Sequence, residues 1–274
     1  MKSALESTSE HDDSSLIGPE DPPPFTLLNI AGKGALLLVC DHASRAFPNA
    51  LEHLGLGSAD TARHIAWDIG AASLTRVLGR LFDAPAVLAG YSRLLIDCNR
   101  APEDPTSIVT TSDGVRVPGN HKMSDADRAE RLRSFFVPYH RAIELRLDEF
   151  RRREVIPAFV SVHSFTPAIS SGEPRPWNIG VLWDRDPRIA VPLLERLRAI
   201  DGLTVGDNLP YSGRHPADYT VARHAERAKL PHVCIEVRQD QIDTATGVKR
   251  WAELLHGVLQ PILLDPGLHH RLKE

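Results

Sequence analysis

Short apolar runs alternate with helical patterns along the chain from about residue 26 onward. Apolar runs of strand length cover residues 36–40, 86–89, 93–97, 159–163, 179–183 and 233–237, and a shorter run at 203–205 predicts an edge strand. Apolar residues at helical spacing predict helices over residues 69–81, 124–153, 187–200, 221–229 and 246–264. Strands that alternate with helices in this way predict an α/β sandwich with a mainly parallel sheet.

The chain of 274 residues has the length of one large α/β domain, and we expect a single domain over residues 25–274. Residues 1–24 are acidic and rich in serine and proline, without the basic start and apolar core of a secretory signal. We therefore expect residues 1–24 to form a mobile leader. No apolar run approaches the roughly 18 residues of a membrane-spanning helix, so no membrane partner is expected.

Composition narrows the class of protein further. The net charge is −4, with 25% charged residues, and the sequence shows no basic stripe that could bind a phosphate backbone. No nucleic-acid partner is therefore expected. The three cysteines, Cys40, Cys98 and Cys234, lie in or beside apolar runs. Their odd number is typical of free buried thiols rather than a disulfide framework, which favours a reducing, cytoplasmic location.

Polar side chains end three of the predicted strands. His42 follows the first strand, His163 ends the strand at 159–163, and Glu236 lies near the end of the strand at 233–237. In α/β proteins, ligands bind just beyond the carboxyl ends of the parallel strands. We therefore expect these three side chains to share one site, and two histidines with a carboxylate suit a metal-assisted hydrolase.

His42 and His163 are the first two expected metal ligands, because neutral imidazole binds zinc well. Asp68 and Asp41 are candidates for a third ligand. Each has an alternative role, since Asp68 opens a predicted helix that it could cap and Asp41 could orient His42 from behind.

Glu236 has two interpretations. It could act as a general base on a metal-bound water and then protonate the leaving amine, or it could form an ion pair with Arg238. Asn99 and Arg100 follow the run at 93–97, where a planar guanidinium would hold a substrate carboxylate in bidentate fashion. Arg93, at the start of that run, is expected in a structural role or beside the substrate.

Four segments together resemble the N-formylglutamate amidohydrolase family, which is related to the zinc carboxypeptidases and the aspartoacylases. These segments are residues 40–48, 92–100, 162–164 and 235–238, within a likeness that covers about residues 36–259. The resemblance implies a phosphorylase/hydrolase-like fold, a three-layer α/β/α sandwich with a mixed, mainly parallel sheet. It also implies one zinc ion and hydrolysis of the amide of a small acidic N-acyl amino acid, such as N-formyl-L-glutamate to formate and glutamate.

The same resemblance implies roles for particular residues. His42 and His163 would bind zinc, Glu236 would be the general base, and Asn99 with Arg100 would hold the substrate carboxylate. The loop over residues 211–224 also resembles a substrate-side segment of the family, in which the Tyr219 hydroxyl would bond the scissile carbonyl or the leaving amine.

One position departs from the related carboxypeptidases. Arg45 stands where their zinc motif has glutamate, and a guanidinium cannot ligate zinc. Asp68 is therefore the expected third ligand.

Two other functions stay open, namely a zinc peptidase or deacylase of another N-acyl amino acid, and a metal-free module that binds an acidic metabolite through Arg100.

Overall fold

A mixed sheet of seven strands forms the centre of the protein in the computed structural model, which describes residues 16–170, 172, 174–214 and 219–272. The strands are β1 (Phe25–Leu28), β2 (Leu36–Cys40), β3 (Ala86–Ala89), β4 (Thr111–Ser112), β5 (Val115–Arg116), β6 (Ala158–Phe165), β7 (Ile179–Leu182), β8 (Val205–Asp207) and β9 (His232–Arg238). Strands β4 and β5 form a separate small hairpin.

The order of the strands in the main sheet is β1-β3-β2-β6-β9-β7-β8. The pairs β3–β2, β2–β6, β6–β9 and β7–β8 are parallel, whereas β1–β3 and β9–β7 are antiparallel. The prediction of a mixed, mainly parallel sheet is therefore confirmed. Strand β8 lies at the edge of the sheet, slightly later in the chain than the predicted edge strand at 203–205.

Helices cover both faces of the sheet and complete the predicted three-layer sandwich. One face packs against the helices at 71–81, 187–198 and 245–263, with Leu78, Leu193 and Trp251 in the core. The other face packs against the helix at 137–152 through Tyr139 and Phe150. The helices are α1 (Ser58–Thr61), α2 (Ala71–Leu81), α3 (Asp125–Arg131), α4 (Val137–Arg152), α5 (Pro187–Arg198), α6 (Tyr219–Val221) and α7 (Ala245–Leu263).

The helix predicted over residues 124–153 begins at a capping box, in which Ser124 and Asp127 each bond the backbone of the other. A π-helical segment, Leu132–Phe136, joins α3 to α4. A second π-helical segment, Ala222–Glu226, continues α6 and takes up much of the helix predicted at 221–229.

The strand predicted at residues 93–97 is wrong, because this segment forms turns. Leu95 N–H donates to Ser92 O at 3.0 Å and Arg100 N–H donates to Asp97 O at 3.2 Å. Leu94, Leu95 and Ile96 are all buried in an apolar cluster beneath the cleft, whereas a strand would place alternate residues on opposite faces. The apolar run therefore reflects burial on every side rather than a place in the sheet.

Residues 1–15 of the predicted leader lie outside the described residues, and residues 16–24 lie against the domain. Pro24 O accepts a hydrogen bond from Gly90 N–H at 2.9 Å, and Leu16 and Ile17 pack on the apolar cluster that contains Tyr91. The division into a leader and a domain stays a prediction. Among the described residues, no helix is long and apolar enough to cross a membrane.

Candidate active site

The predicted strand-end residues come together at one edge of the sheet. His42 lies just beyond the end of β2, His163 lies near the end of the adjacent β6, and Glu236 pairs in register with His163 on β9. Because β2, β6 and β9 are parallel neighbours, their carboxyl ends meet at the same edge. The sheet therefore brings two imidazoles and a carboxylate into one small region.

Asp68 joins the two histidines to form a buried His–Asp–His cluster. His42, Asp68 and His163 each offer a ligand atom, and these atoms lie within 4.8 Å of one another. Asp68 Oδ2 lies 3.3 Å from His42 Nδ1 and 2.8 Å from His163 Nδ1. Both rings therefore turn Nδ1 toward the same carboxylate.

Asp68 does not have the capping role that the sequence left open. The residue that caps α2 is Gly70, whose φ of 84° lies in the left-handed region. The carboxylate of Asp68 also accepts a hydrogen bond from Ser164 N–H at 3.3 Å. The turn before α2 thus directs Asp68 into the cleft, toward the two histidines.

Each imidazole has one outer carboxylate on the side that faces away from Asp68. Asp97 Oδ1 lies 2.7 Å from His42 Nε2, and Asp41 Oδ2 lies 3.0 Å from His163 Nε2. Such a partner fixes the tautomer and orientation of a histidine that binds a metal through its other nitrogen. The sequence suggested Asp41 behind His42, but Asp41 lies behind His163, and Asp97 takes the place behind His42.

The carboxylates and imidazoles of this cluster stabilise each other in their charged forms. Burial alone would raise the pKa of Asp41, but the hydrogen bond and charge of His163 lower it to about 2. Burial would lower the pKa of His163, yet hydrogen bonds to Asp41 and Asp68 raise it well above its usual range. The site thus favours positive charge between the carboxylates, and a divalent cation would supply positive charge at the same place.

A cavity of about 380 Å³ opens over the cluster. Its lining includes both histidines, Asp68, Glu236, Arg93, Asn99, Arg100, Tyr211 and Arg214. A second cavity of about 470 Å³ lies beside the first and shares His64, Arg93, Arg100 and Tyr211 with it. The cleft is therefore a polar space in which arginines line the wall beside the His–Asp–His cluster. A positively charged wall of this kind suits a small anionic ligand.

The predicted substrate residues Asn99 and Arg100 lie in the wall of this cleft. Asn99 Oδ1 accepts a hydrogen bond from Thr220 N–H at 3.0 Å, and Arg100 Nη1 donates to Asn99 O at 3.1 Å. Arg93 lines the cleft as well, but its Nε and Nη2 bond Asp97 Oδ2 at 3.1 and 2.6 Å. Arg93 thus holds the carboxylate behind His42, whereas Arg100 lines the cleft and makes no ion pair among the described residues.

Tyr219 lies away from the described lining of the cleft. Its ring packs against Phe136 and His140, and its hydroxyl accepts a hydrogen bond from Arg223 at 2.7 Å. Tyr211 lines both cavities and accepts a hydrogen bond from Arg175 at 2.9 Å. The substrate role of Tyr219 stays a prediction, and Tyr211 is the tyrosine that the geometry favours for it.

Two further residues resolve points that the sequence left open. Arg238, the alternative ion-pair partner of Glu236, pairs with Asp240 through Nε at 2.8 Å. Arg45 is exposed, with its guanidinium 5.7 Å from the centre of the Trp67 ring. Neither arrangement interferes with the cluster in the cleft.

The α/β/α sandwich places the protein in the α/β class, and the polar cleft at the carboxyl ends of its parallel strands is its candidate active site. The chain belongs to the N-formylglutamate amidohydrolase family, whose model matches residues 34–242. The family resemblance inferred from the sequence motifs is thereby confirmed.

Solved structures support the fold over nearly its whole length. The gene product Atu2144 of Agrobacterium tumefaciens is similar, with 33% identity, a TM-score of 0.87, and coverage of 90% of this chain and 98% of its own. An N-formylglutamate amidohydrolase of Ralstonia eutropha JMP134 shares the fold at 18% identity and a TM-score of 0.68, with coverage of 88% and 97%. No curated protein matches the chain in sequence.

Proposed function

We propose that the protein is a zinc-dependent amidohydrolase that cleaves the amide of a small acidic N-acyl amino acid. N-formyl-L-glutamate is the first candidate substrate, with formate and glutamate as products. One observation carries the proposal: the His42–Asp68–His163 cluster lies in a cleft that Glu236 and Arg100 also line. Membership of the N-formylglutamate amidohydrolase family supports the reaction class.

The donor set fits a catalytic zinc ion. Two imidazoles and one carboxylate are a common set of protein ligands for zinc in hydrolases, where the fourth position takes water. The outer carboxylates of Asp41 and Asp97 hold both Nε2 atoms, so both Nδ1 atoms are the ones available to a metal. When bound, zinc would lower the pKa of a water molecule and polarise the amide carbonyl.

Glu236 is the proposed general base. It is largely buried in β9 beside His163, and its charge contributes to the raised pKa of that histidine. A carboxylate oxygen of Glu236 would take the proton from the attacking water and pass it to the departing amide nitrogen. The C–O bond would form first, and the amide C–N bond would then break as its nitrogen takes this proton, so the proton removed from water ends on the free amine and the acyl group leaves as the acid.

Arg100 and Asn99 are the proposed grip on the substrate carboxylate. A bidentate contact with a guanidinium fixes both the distance and the plane of a carboxylate. That alignment would present the scissile amide to the metal side of the cleft. Arg93 and Tyr211 would form the adjoining wall, with Arg93 also fixed to Asp97.

The direct test is formate release from N-formyl-L-glutamate by the purified protein, before and after removal of metal by a chelator. We expect turnover that stops on chelation and returns with zinc. Turnover of N-acetyl-L-glutamate or of a dipeptide in place of the formyl substrate would point to another deacylase or a peptidase. Tight binding of an acidic metabolite, without metal and without hydrolysis of any of these amides, would contradict the proposal.

A further inference from the structure

A buried chain of hydrogen bonds connects Thr220 to His163 through Asp41. Thr220 Oγ1 donates to Asp41 Oδ1 at 2.6 Å, and Asp41 Oδ2 lies 3.0 Å from His163 Nε2. All three side chains are buried, and Thr220 is fully inaccessible to solvent. A hydroxyl that is not among the described lining of the cleft thus contacts the carboxylate behind a proposed metal ligand.

Tyr139 gives Asp41 a second hydroxyl donor on the same oxygen. Its phenol donates to Asp41 Oδ1 at 2.8 Å, while Ser161 Oγ donates to Asp41 Oδ2 at 3.3 Å. With His163, this makes four partners for one buried carboxylate. Donors on both oxygens fix the rotation of the carboxylate, because turning it would break bonds that no water can replace.

Thr220 also contacts the substrate side of the site. Its backbone N–H donates to Asn99 Oδ1 at 3.0 Å, next to Arg100. The hydroxyl and the amide of one residue therefore serve two different partners, Asp41 and Asn99. A substitution that removes only the hydroxyl separates the two contacts.

We propose that Thr220 and Tyr139 are positioning residues for the metal centre. Their hydroxyls fix Asp41, and Asp41 in turn fixes the plane of the His163 ring and the direction of Nδ1. This inference rests on the proposed function, because it requires that His163 binds a metal. Residues that support metal ligands from behind in this way typically account for about 10–100-fold in metal affinity.

The test is the zinc dissociation constant of the full-length protein, measured by competition with a chromophoric chelator. Thr220→Val removes the hydroxyl but keeps the side-chain shape and the backbone N–H, and Tyr139→Phe removes the other hydroxyl. We expect each variant to bind zinc about 10–100-fold more weakly than the unaltered protein. Thr220→Ser keeps the hydroxyl and should bind zinc almost normally.

Thr61→Val is the matched control, because it removes the hydroxyl of another buried threonine, which donates to Ser58 O within its own helix. It should leave zinc affinity unchanged. For Thr220→Val at saturating zinc, the KM should stay near normal, because the amide contact with Asn99 remains. If Thr220→Val does not fold, Tyr139→Phe carries the test.

Unchanged zinc affinity in Thr220→Val and Tyr139→Phe would overturn the positioning role and leave the proposed function intact. An equal loss in Thr220→Ser or Thr61→Val would also overturn it, since the effect would then be general. An unaltered protein that binds no zinc would overturn the zinc-dependent function, and the positioning role with it.

Discussion

His163 and Glu236 are direct register partners on the neighbouring parallel strands β6 and β9. Adjacent strands lie about 4.8 Å apart, and paired positions in a parallel sheet project to the same face. The sheet itself therefore sets the distance between a proposed metal ligand and the proposed general base. Neither residue depends on a loop for its position.

Substitution of Glu236 by glutamine should separate chemistry from metal binding. The amide keeps the shape of the side chain but cannot accept the proton, so kcat should fall by about 10²–10⁴-fold. Zinc content, measured by elemental analysis, should stay near that of the unaltered protein. Glu253→Gln makes the same change on an exposed helix surface and serves as the control. Turnover that persists in Glu236→Gln would remove the general-base role.

Substitution of Arg100 by glutamine should weaken recognition of the substrate carboxylate. Loss of a hydrogen bond to a charged group costs about 1.5–3 kcal/mol, which is roughly 10–150-fold in binding. We expect this loss mainly in KM, measured by formate release. The carboxamide analogue of the substrate should already be poor for the unaltered enzyme and should lose little more in Arg100→Gln. A matching loss for acid and amide would speak against a carboxylate contact.

Gly70 holds a conformation that the site requires. Its φ is 84°, and a Cβ atom there would lie 2.2 Å from Ile242 O. Gly114 has a similar φ of 79° but open space around it, so Gly114→Ala controls for backbone strain alone. The left-handed strain costs about 1–2 kcal/mol in either variant. Gly70→Ala should lose more stability than Gly114→Ala and should also lose zinc, because the clash displaces the turn that carries Asp68. Equal thermal unfolding and zinc content in both would contradict this.

The buried pair His140 and His224 should make the protein sensitive to acid. His140 Nδ1 lies 2.9 Å from His224 Nε2, and burial lowers their pKa values from 6.5 to about 4 and about 3. Both histidines are neutral in the folded state, whereas they bind protons below pH 6.5 once unfolded. The stabilisation that comes from keeping these two histidines neutral is therefore fully present above pH 6.5. It is lost progressively as the pH drops toward 4.

The expected loss of stability in acid can be given a size from the shifted pKa of His140. Between pH 6.5 and 4, His140 alone would contribute a loss of about 3 kcal/mol in the free energy of unfolding. Urea unfolding at a series of pH values measures it, and His140→Gln should show a shallower decline over this range. An equally steep decline in that variant would assign the acid sensitivity to other groups.

The sequence was informative where the sheet sets the geometry. Buried runs that end in His42, His163 and Glu236 could be placed at one edge because parallel strands share a direction. Asp68 could be proposed as well, because the guanidinium of Arg45 at the compared ligand position cannot bind zinc. The two histidines and the glutamate depend on local pattern and strand direction, both of which are visible in a single sequence.

Loop geometry could not be predicted in the same way. Leu94, Leu95 and Ile96 read as a strand because burial on all sides and burial within a sheet produce the same apolar run. Asp97 and Arg93 therefore were not expected behind His42. Tyr211 and Tyr219 are close in sequence, and only tertiary packing decides which tyrosine reaches the cleft. Such contacts join residues distant in sequence, so no local pattern records them.

The metal content of the purified protein decides whether His42, Asp68 and His163 form a zinc centre. Elemental analysis of the unaltered chain, His163→Ala and Asp68→Asn, each purified without chelator, gives the stoichiometry. We expect about one zinc per chain in the unaltered protein and a large loss in both variants, with folding verified by circular dichroism. Zinc at full stoichiometry in both folded variants, or none in the unaltered protein, would contradict this expectation.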